Sequence, residues 1–402
     1  MKERLVIKNF GPIKSVDLEL GKMIILIGEQ ATGKSTIAKV LAVCRYFSFI
    51  TNATNNLIHI NNIYFDNILK EYGIHEYIND KSYVLYDCVD YKLEITIVHD
   101  GKFISNLDKN RAEPFLMFLP EIINEKSLEF KTLMNEFRKI NTQRPSGDIG
   151  TQYLRPNWNI PTSFLLNDVK KVMNNPFYFP TERGLQSIFS LGKDSIQNLS
   201  SLLYNQFAKL NEISNNHNKE IFIKPLGVSY KNINGLGYVK KEKEENFYAL
   251  NTGASGYQSA VPIVLGINFY TNFEDRKNRI FIVEEPELNL FPKAQKKLMD
   301  FFVDNINSNG HSFLLPTHSP YFLSAINDLL MAFKKGQKNQ SEVEKFVNKE
   351  SWLNPNDLSV YQLKNGFAYD IFDKECSLIG ENIIDEVSDQ MNEEFEELLD
   401  IK

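Results

Sequence analysis

The 402-residue chain reads as an α/β protein with a mixed central sheet, an antiparallel β subdomain and a helical lid-like insertion. Three observations predict this. Residues 23–27 and 280–283 are apolar runs with the length and composition of fully buried strands. Each leads through a polar turn into a helix-compatible stretch, the strand–loop–helix order of α/β sheets. Residues 13–20 and 83–99 instead alternate apolar and polar positions, the period of half-buried antiparallel strands.

Taken in order, residues 4–9 form a strand and Phe10-Gly11-Pro12 a turn, because Gly and Pro punctuate there. Residues 13–20 return as a second strand, and Gly21-Lys22 connects tightly to the apolar run. Gly28 to Ser35 then has the spacing G-x-x-x-x-G-K-S, with a helix over 35–47. Residues 51–81 carry no assignable pattern. Residues 83–104 read as a meander with an Asp100-Gly101 hairpin, 113–140 as helical, and 141–163 as a surface loop rich in Pro and Gly. Residues 177–180 end a strand, 185–191 are helical, and 220–249 are strands broken at Gly235 and Gly237.

Further on, helices are expected over 255–270, 292–305 and 320–333, with strands over 279–283 and 312–315. Residues 334–349 read as a polar linker, and 358–363 and 367–372 as a hairpin around Asn365-Gly366. The acidic, amphipathic tail 383–399 reads as a solvated helix with one docked face. Four units follow: 1–110, 111–250 (the insertion), 251–335 and 336–402.

Composition narrows the classes. At 43% hydrophobic and 24% charged, the chain is globular with ample core. A net charge of −6 gives no general affinity for nucleic acid, so any DNA contact needs a local basic patch. Cys44, Cys88 and Cys376 have no metal spacing and suit a reducing cytoplasm. No signal peptide and no membrane span is expected.

The chemistry sits in four stretches. In Gly28-Glu29-Gln30-Ala31-Thr32-Gly33-Lys34-Ser35-Thr36 the glycines let the backbone fold around phosphate oxygens with N–H groups pointing inward. Lys34 supplies charge to the β- and γ-phosphates, and the Ser35 hydroxyl is a Mg²⁺ ligand. Second, Glu284 and Glu285 follow the 280–283 strand at the sheet edge where ligands bind in open α/β sheets. Their side chains point in different directions, so Glu284 can serve Mg²⁺ while Glu285 orients and deprotonates water. Third, His318 follows a short strand in Pro316-Thr317-His318-Ser319-Pro320 and can reach a γ-phosphate or attacking water. An isolated His is more often a cap or core residue; its place at a strand end after the carboxylate pair favours function. Fourth, Asn251 to Gln258 opens a helix with small and hydroxyl residues, a terminus suited to an anion or to an ordinary cap.

Together these stretches resemble the ABC-type ATPase head of the SMC/Rad50/RecF and OLD-like group. The order matches: Walker A at 28–36, a signature motif at 254–258, Walker B at 280–285, a D-loop-like Glu287-Leu288-Asn289-Leu290, and H-loop His318. Asn9-Phe10-Gly11-Pro12-Ile13 is similar to the group's opening near the adenine. Glu-Glu-Pro-Glu (284–287) and Thr-His-Ser-Pro (317–320) resemble stand-alone ATPase subunits of bacterial anti-phage systems, such as those of Septu, PARIS and retrons. The usual Walker B Asp is Glu284 here. The signature has Ala254 for Leu and Tyr257 for the second Gly, and Gln186 is the candidate for a Q-loop. Neither a Toprim nuclease segment nor a long coiled coil is recognisable.

The resemblance implies a head-to-tail homodimer, or a higher homo-oligomer, with two ATP molecules at its interface. Ser255, Gly256 and Gln258 would act in trans on ATP held by the partner's Walker A loop. It also implies ATP and Mg²⁺ as ligands, slow regulatory hydrolysis, and a separate effector, a nuclease or toxin, triggered by DNA or a phage protein. A DNA-clamping repair or recombination ATPase of RecF type is the alternative. A transporter's ATPase subunit fits less well, because the signature is degenerate and the insertion is strand-rich.

Overall fold

The computed structural model describes residues 3–53, 68–88, 92–98, 102–108, 177–181, 220–234, 236–272 and 279–401. The chain opens with the hairpin β1 (Glu3–Phe10) and β2 (Ile13–Leu20), and β3 (Met23–Gly28) follows, buried along its whole length. Met23, Ile25 and Ile27 enter one core while Ile24 and Leu26 enter the other. A strand covered on both faces is apolar throughout and shows no alternation. α1 (Lys34–Ala53) springs from the loop after β3. β4 (Tyr83–Asp87), β5 (Lys92–Val98) and β6 (Lys102–Asp108) extend the sheet antiparallel beyond β1.

The middle of the chain contributes β7 (Phe177–Phe179) and a small antiparallel sheet of β8 (Ile221–Ile223), β9 (Val228–Ile233), β10 (Leu236–Lys241) and β11 (Tyr248–Ala249). Gly237 does not break β10, contrary to the sequence reading. It pairs with Asn232, and the Tyr230 ring lies 2.8 Å from where a Cβ would stand, so the ring needs the glycine.

The last third supplies α2 (Ser255–Asn272), β12 (Ile280–Val283), α3 (Pro292–Asn309), β13 (Ser312–Pro316) and α4 (Pro320–Gly336). Next come β14 (Leu358–Lys364), β15 (Phe367–Asp370), the two-residue strands β16 (Phe372–Asp373) and β17 (Leu378–Ile379), and α5 (Ile383–Leu399). Residues 334–349 are more ordered than a linker. α4 runs on to Gly336, a short helix covers Gln340–Val343, and the Trp352 ring packs over Gly336.

Among the described residues the main sheet has eleven strands, in the order β6-β5-β4-β1-β2-β15-β14-β3-β13-β12-β7. From β14 to β7 the neighbours run parallel, and from β6 to β2 they run antiparallel. The predicted C-terminal hairpin joins the two halves. β14 lies parallel to β3, and β15 touches β2 at Phe367 and Ser15. Asn365 and Gly366 both have positive φ, the two-residue I′ turn expected of Asn-Gly. One face of the sheet packs against α2, α3 and α4 through Val261, Leu298, Phe302 and Ile326, and the other against α1 through Ile37 and Leu41. Among the described residues no helix is long and apolar enough to cross a membrane.

Outside the described residues lie the expected helices over 113–140 and 185–191, the 141–163 loop, the Asp100-Gly101 turn and the Q-loop candidate Gln186.

Candidate functional site

β3 delivers the chain into a loop that only special backbone geometry can make. Gly28, Ala31 and Gly33 have φ of 147°, 60° and 102°. A Cβ on Gly28 would lie 2.5 Å from the Leu363 carbonyl oxygen in β14, and one on Gly33 would lie 2.3 Å from the Ile13 Cδ1. Thr32 Oγ1 donates to the Glu29 carbonyl at 2.8 Å and closes the loop on itself. The first bond of α1 runs from Ile37 N to Gly33 O, so the N–H groups of Lys34, Ser35 and Thr36 have no carbonyl within the helix. They form an anion cradle at the positive end of a 20-residue helix. Glu29, Gln30, Ala31 and Ser35 are exposed, while Lys34 and Thr36 are buried.

Lys34 is folded back over the loop. Its Nζ donates to the Gly28 carbonyl at 2.7 Å and the Glu29 carbonyl at 2.8 Å, which leaves a third donor for a phosphate oxygen. Burial draws its pKa down to about 8, against the opposing pull of Glu285, Glu287 and Glu284. These carboxylates come from the end of β12, two strands from β3. Parallel pairing brings the C-terminal ends of β3, β13 and β12 to one edge, and backbone bonds continue past it. Thr317 N donates to Leu26 O at 3.0 Å, Glu285 N to Pro316 O at 2.9 Å, and Glu284 N to Phe179 O at 2.9 Å.

The two consecutive carboxylates differ in their surroundings. Glu284 is buried, and Thr181 Oγ1 donates to its Oε2 at 3.3 Å. Glu285 is half-buried and has φ of 42°, a conformation disfavoured for a side-chain-bearing residue. Beyond them, Glu287 Oε1 accepts from His318 N at 2.7 Å and fixes the turn that carries the imidazole. Burial raises the Glu287 pKa. Burial and the Lys34 charge lower that of His318, which keeps the ring neutral. Ser319 caps α4, its Oγ accepting from the N–H groups of Tyr321 and Phe322.

The signature stretch lies at the start of α2. Ser255 and Ala254 are exposed. Gly256 packs on the loop after β12: a Cβ there would be 2.7 Å from the Asn289 carbonyl oxygen. Gln258 turns back, its Nε2 donating to the Gly253 carbonyl at 2.9 Å and the Asn251 carbonyl at 3.4 Å, so its amide braces the preceding turn. The structure thus brings Lys34, Glu284, Glu285 and His318 together, and presents Ser255 to the outside.

The donors fit a triphosphate with a hard divalent cation. The Ser35 hydroxyl and the Glu284 carboxylate are oxygen ligands of the kind Mg²⁺ takes, with phosphates and water completing the shell. Among the described residues no group of three His, Cys, Asp or Glu could hold a metal without such help.

Three contributors were not assigned roles from sequence. Thr181 touches Glu284 across 103 residues, and Leu363 walls the phosphate loop from the far end of the chain. Glu287, read as part of a D-loop, positions His318. Only the last had a local signal, the second carboxylate of Glu-Pro-Glu.

A phosphate loop on β3, with carboxylates and a histidine on adjoining strand ends, defines a P-loop ATPase site. The chain belongs to the AAA_15 family, described as an AAA ATPase domain, whose model matches residues 44–323. That stretch holds Ser255, Glu284, Glu285 and His318 and begins after the phosphate loop. Among solved structures, the chain is similar to the SMC head domain from Thermotoga maritima, at 11% identity over 92% of this chain and 98% of that one, with a TM-score of 0.41. A Pyrococcus yayanosii Smc head domain with a coiled coil and joint is similar at 9% identity over 96% and 99%, with a TM-score of 0.42. A Smc head domain with an extended coiled coil, bound to the C-terminal domain of ScpA and derived from Pyrococcus furiosus, is similar at 13% identity over 92% and 95%, with a TM-score of 0.39. No curated protein matches the chain.

Proposed function

We propose that the chain is a cytoplasmic ABC-type ATPase that pairs head to tail around two ATP molecules. In this reading the pairing holds or releases a separate effector, a nuclease or toxin, in anti-phage defence. The observation that carries the ATPase reading is the convergence of Lys34, Glu284, Glu285 and His318 on the cradle formed by α1. The exposed Ser255 at the start of α2 supports the pairing, because one head leaves it facing outward. The defence role rests on the resemblance of residues 284–287 and 317–320 to the stand-alone ATPases.

Lys34 and the N–H groups of residues 34–36 bind the β- and γ-phosphates. Ser35 and Glu284 would hold Mg²⁺, which when bound would supply positive charge to the phosphates. Glu285 accepts a proton from water as its oxygen attacks the γ-phosphorus in line and ADP leaves. Neutral His318 hydrogen-bonds the attacking water or a γ-oxygen. Ser255 and Gly256 of the second copy close over the γ-phosphate, so cleavage removes the bridge between heads.

Two variants test this. Lys34→Ala is expected to lose ATP binding. Glu285→Gln is expected to bind ATP, stop turnover and double in mass by sedimentation. Parent-rate hydrolysis by Glu285→Gln removes the assigned base, and an unchanged mass removes the pairing. ATP turnover that duplex DNA stimulates with a steep salt dependence would favour the DNA clamp over the effector reading.

A further inference from the structure

We infer that α5 is a docking arm for a second protein that presents an apolar groove flanked by lysine or arginine. The root of the arm is fixed. Asn382 is buried and caps the helix, its Oδ1 accepting from Ile384 N at 3.0 Å. Ile383 N donates to Gln362 Oε1 in β14 at 2.8 Å, and Ile383 and Ile384 pack on the core. From Asp385 onward every residue to Ile401 is exposed. At 1.5 Å per residue, the helix leaves the body by about 20 Å.

The exposed part is strongly two-sided. Val387, Met391, Phe395, Leu398 and Leu399 fall within about 120° of the helical circumference. Met391 is 66% exposed and Phe395 62%, far more than apolar residues at this spacing have when a core receives them. The rest of the circumference carries Asp385, Glu386, Asp389, Glu393, Glu394, Glu396, Glu397 and Asp400, with no basic residue between 383 and 400. The acids of the first turn suit the helix dipole; Glu396 and Glu397 in the last turn oppose it. Beyond its root, the helix has no side chain buried against the described residues, and a helix of this length without such support is marginal in water. An occupant must therefore cover the apolar stripe and bring positive charge, above all near the C-terminal end. A second copy of the same helix brings eight more carboxylates, and an anionic membrane repels it. A basic-rimmed protein groove satisfies both demands.

In the reading proposed above, the effector would supply this groove, and the arm rests on that reading for its partner's role. A binding assay without nucleotide separates the two: loss of ATP turnover leaves the arm standing, and loss of binding leaves the ATPase standing. The probe is a labelled amphipathic peptide with leucine on one helical face and lysine flanking it, followed by fluorescence anisotropy on the full chain. The parent protein is expected to bind it. The Met391→Glu/Phe395→Glu protein should bind at least about tenfold more weakly although it is more acidic, because the apolar stripe is broken at its centre. A scrambled peptide of identical composition should lose a similar factor. Both substitutions lie at exposed positions, so folding and basal ATP turnover should match the parent. Equal binding of the scrambled peptide, or equal binding by the variant, overturns the arm. So does a change in the free protein's mass on substitution, which would make a second copy the occupant, or parent binding to neutral lipid vesicles.

Discussion

The buried ammonium of Lys34 makes nucleotide affinity depend on pH in a window where few other groups titrate. Its pKa is drawn to about 8 by burial in the nucleotide-free protein. A bound triphosphate supplies negative charge at the same nitrogen and pushes the value back up, so binding takes up a proton. The sign follows: affinity is nearly full at pH 7 and below, and falls as pH rises through 8. The free protein is about half protonated at pH 8 and about a tenth at pH 9, so affinity should drop roughly tenfold between pH 7 and 9. The terminal phosphate of the nucleotide titrates about two units lower and does not confound this window. Titration calorimetry with the γ-thio analogue of ATP, whose terminal thiophosphate is fully ionised across this window, in two buffers of different ionisation enthalpy, should show uptake of about half a proton at pH 8. A flat affinity from pH 7.5 to 9.5 with no buffer dependence would refute the reasoning, because the ammonium would then be charged throughout.

Two further outcomes follow from contacts at the edges of the site. Arg45 lies buried in α1, its Nε and Nη2 donating to Glu3 at 2.8 and 2.6 Å beside the Tyr86 hydroxyl. Burial raises the Glu3 pKa, yet the Arg45 charge and hydrogen bonds bring it below the ordinary value. Arg45→Ala strands that carboxylate and should cost about 3–5 kcal/mol in urea unfolding, most of it recovered in Arg45→Met/Glu3→Gln. Gly256→Ala drives a Cβ to 2.7 Å from the Asn289 carbonyl and must push the start of α2 off the loop after β12. Nucleotide binding to one head should be unchanged while ATP-dependent pairing by Glu285→Gln/Gly256→Ala weakens about tenfold in sedimentation, an overpacking cost of about 1–3 kcal/mol.

The parts of the site that were legible in the sequence are those whose chemistry is local. Gly28, Gly33, Lys34 and Ser35 lie within eight residues, because one turn between a strand and a helix makes the cradle. Glu284, Glu285 and His318 could be read because each follows an apolar strand, and parallel strands carry their C-terminal ends to one edge. The elements around them, β12, α3, β13, α4 and the Asn365-Gly366 hairpin, have strong periodicity and caps, and their bounds fall within a few residues of expectation. What could not be read is contact between distant segments. Nothing near Thr181 announces Glu284, and nothing near Leu363 announces Gly28. Gly237 reads as a break because a glycine inside a strand weakens it; the Tyr230 ring that fills its space lies on the neighbouring strand.

The position of β14 ties these observations together. Residues 358–363 pair with β3 in register, Leu358 with Met23 and Leu363 with Gly28, so the strand bordering the phosphate loop comes from near the end of the chain. The same strand holds the root of α5 through Gln362, one residue before Leu363. Lys14 N and Ser15 N both bond the Gly366 carbonyl, and Gly33 rests on Ile13 and Pro12, so the β1–β2 turn touches both hairpin and loop. The cradle's shape is thus set jointly by residues 12–15, 28–36 and 363–366, segments far apart in the chain that meet through β2, β3, β14 and β15. A load on α5 enters the sheet at Gln362, and the next residue along that strand stands against Gly28. An arm rooted there is joined by one hydrogen bond and one strand pairing to the loop that would hold phosphate.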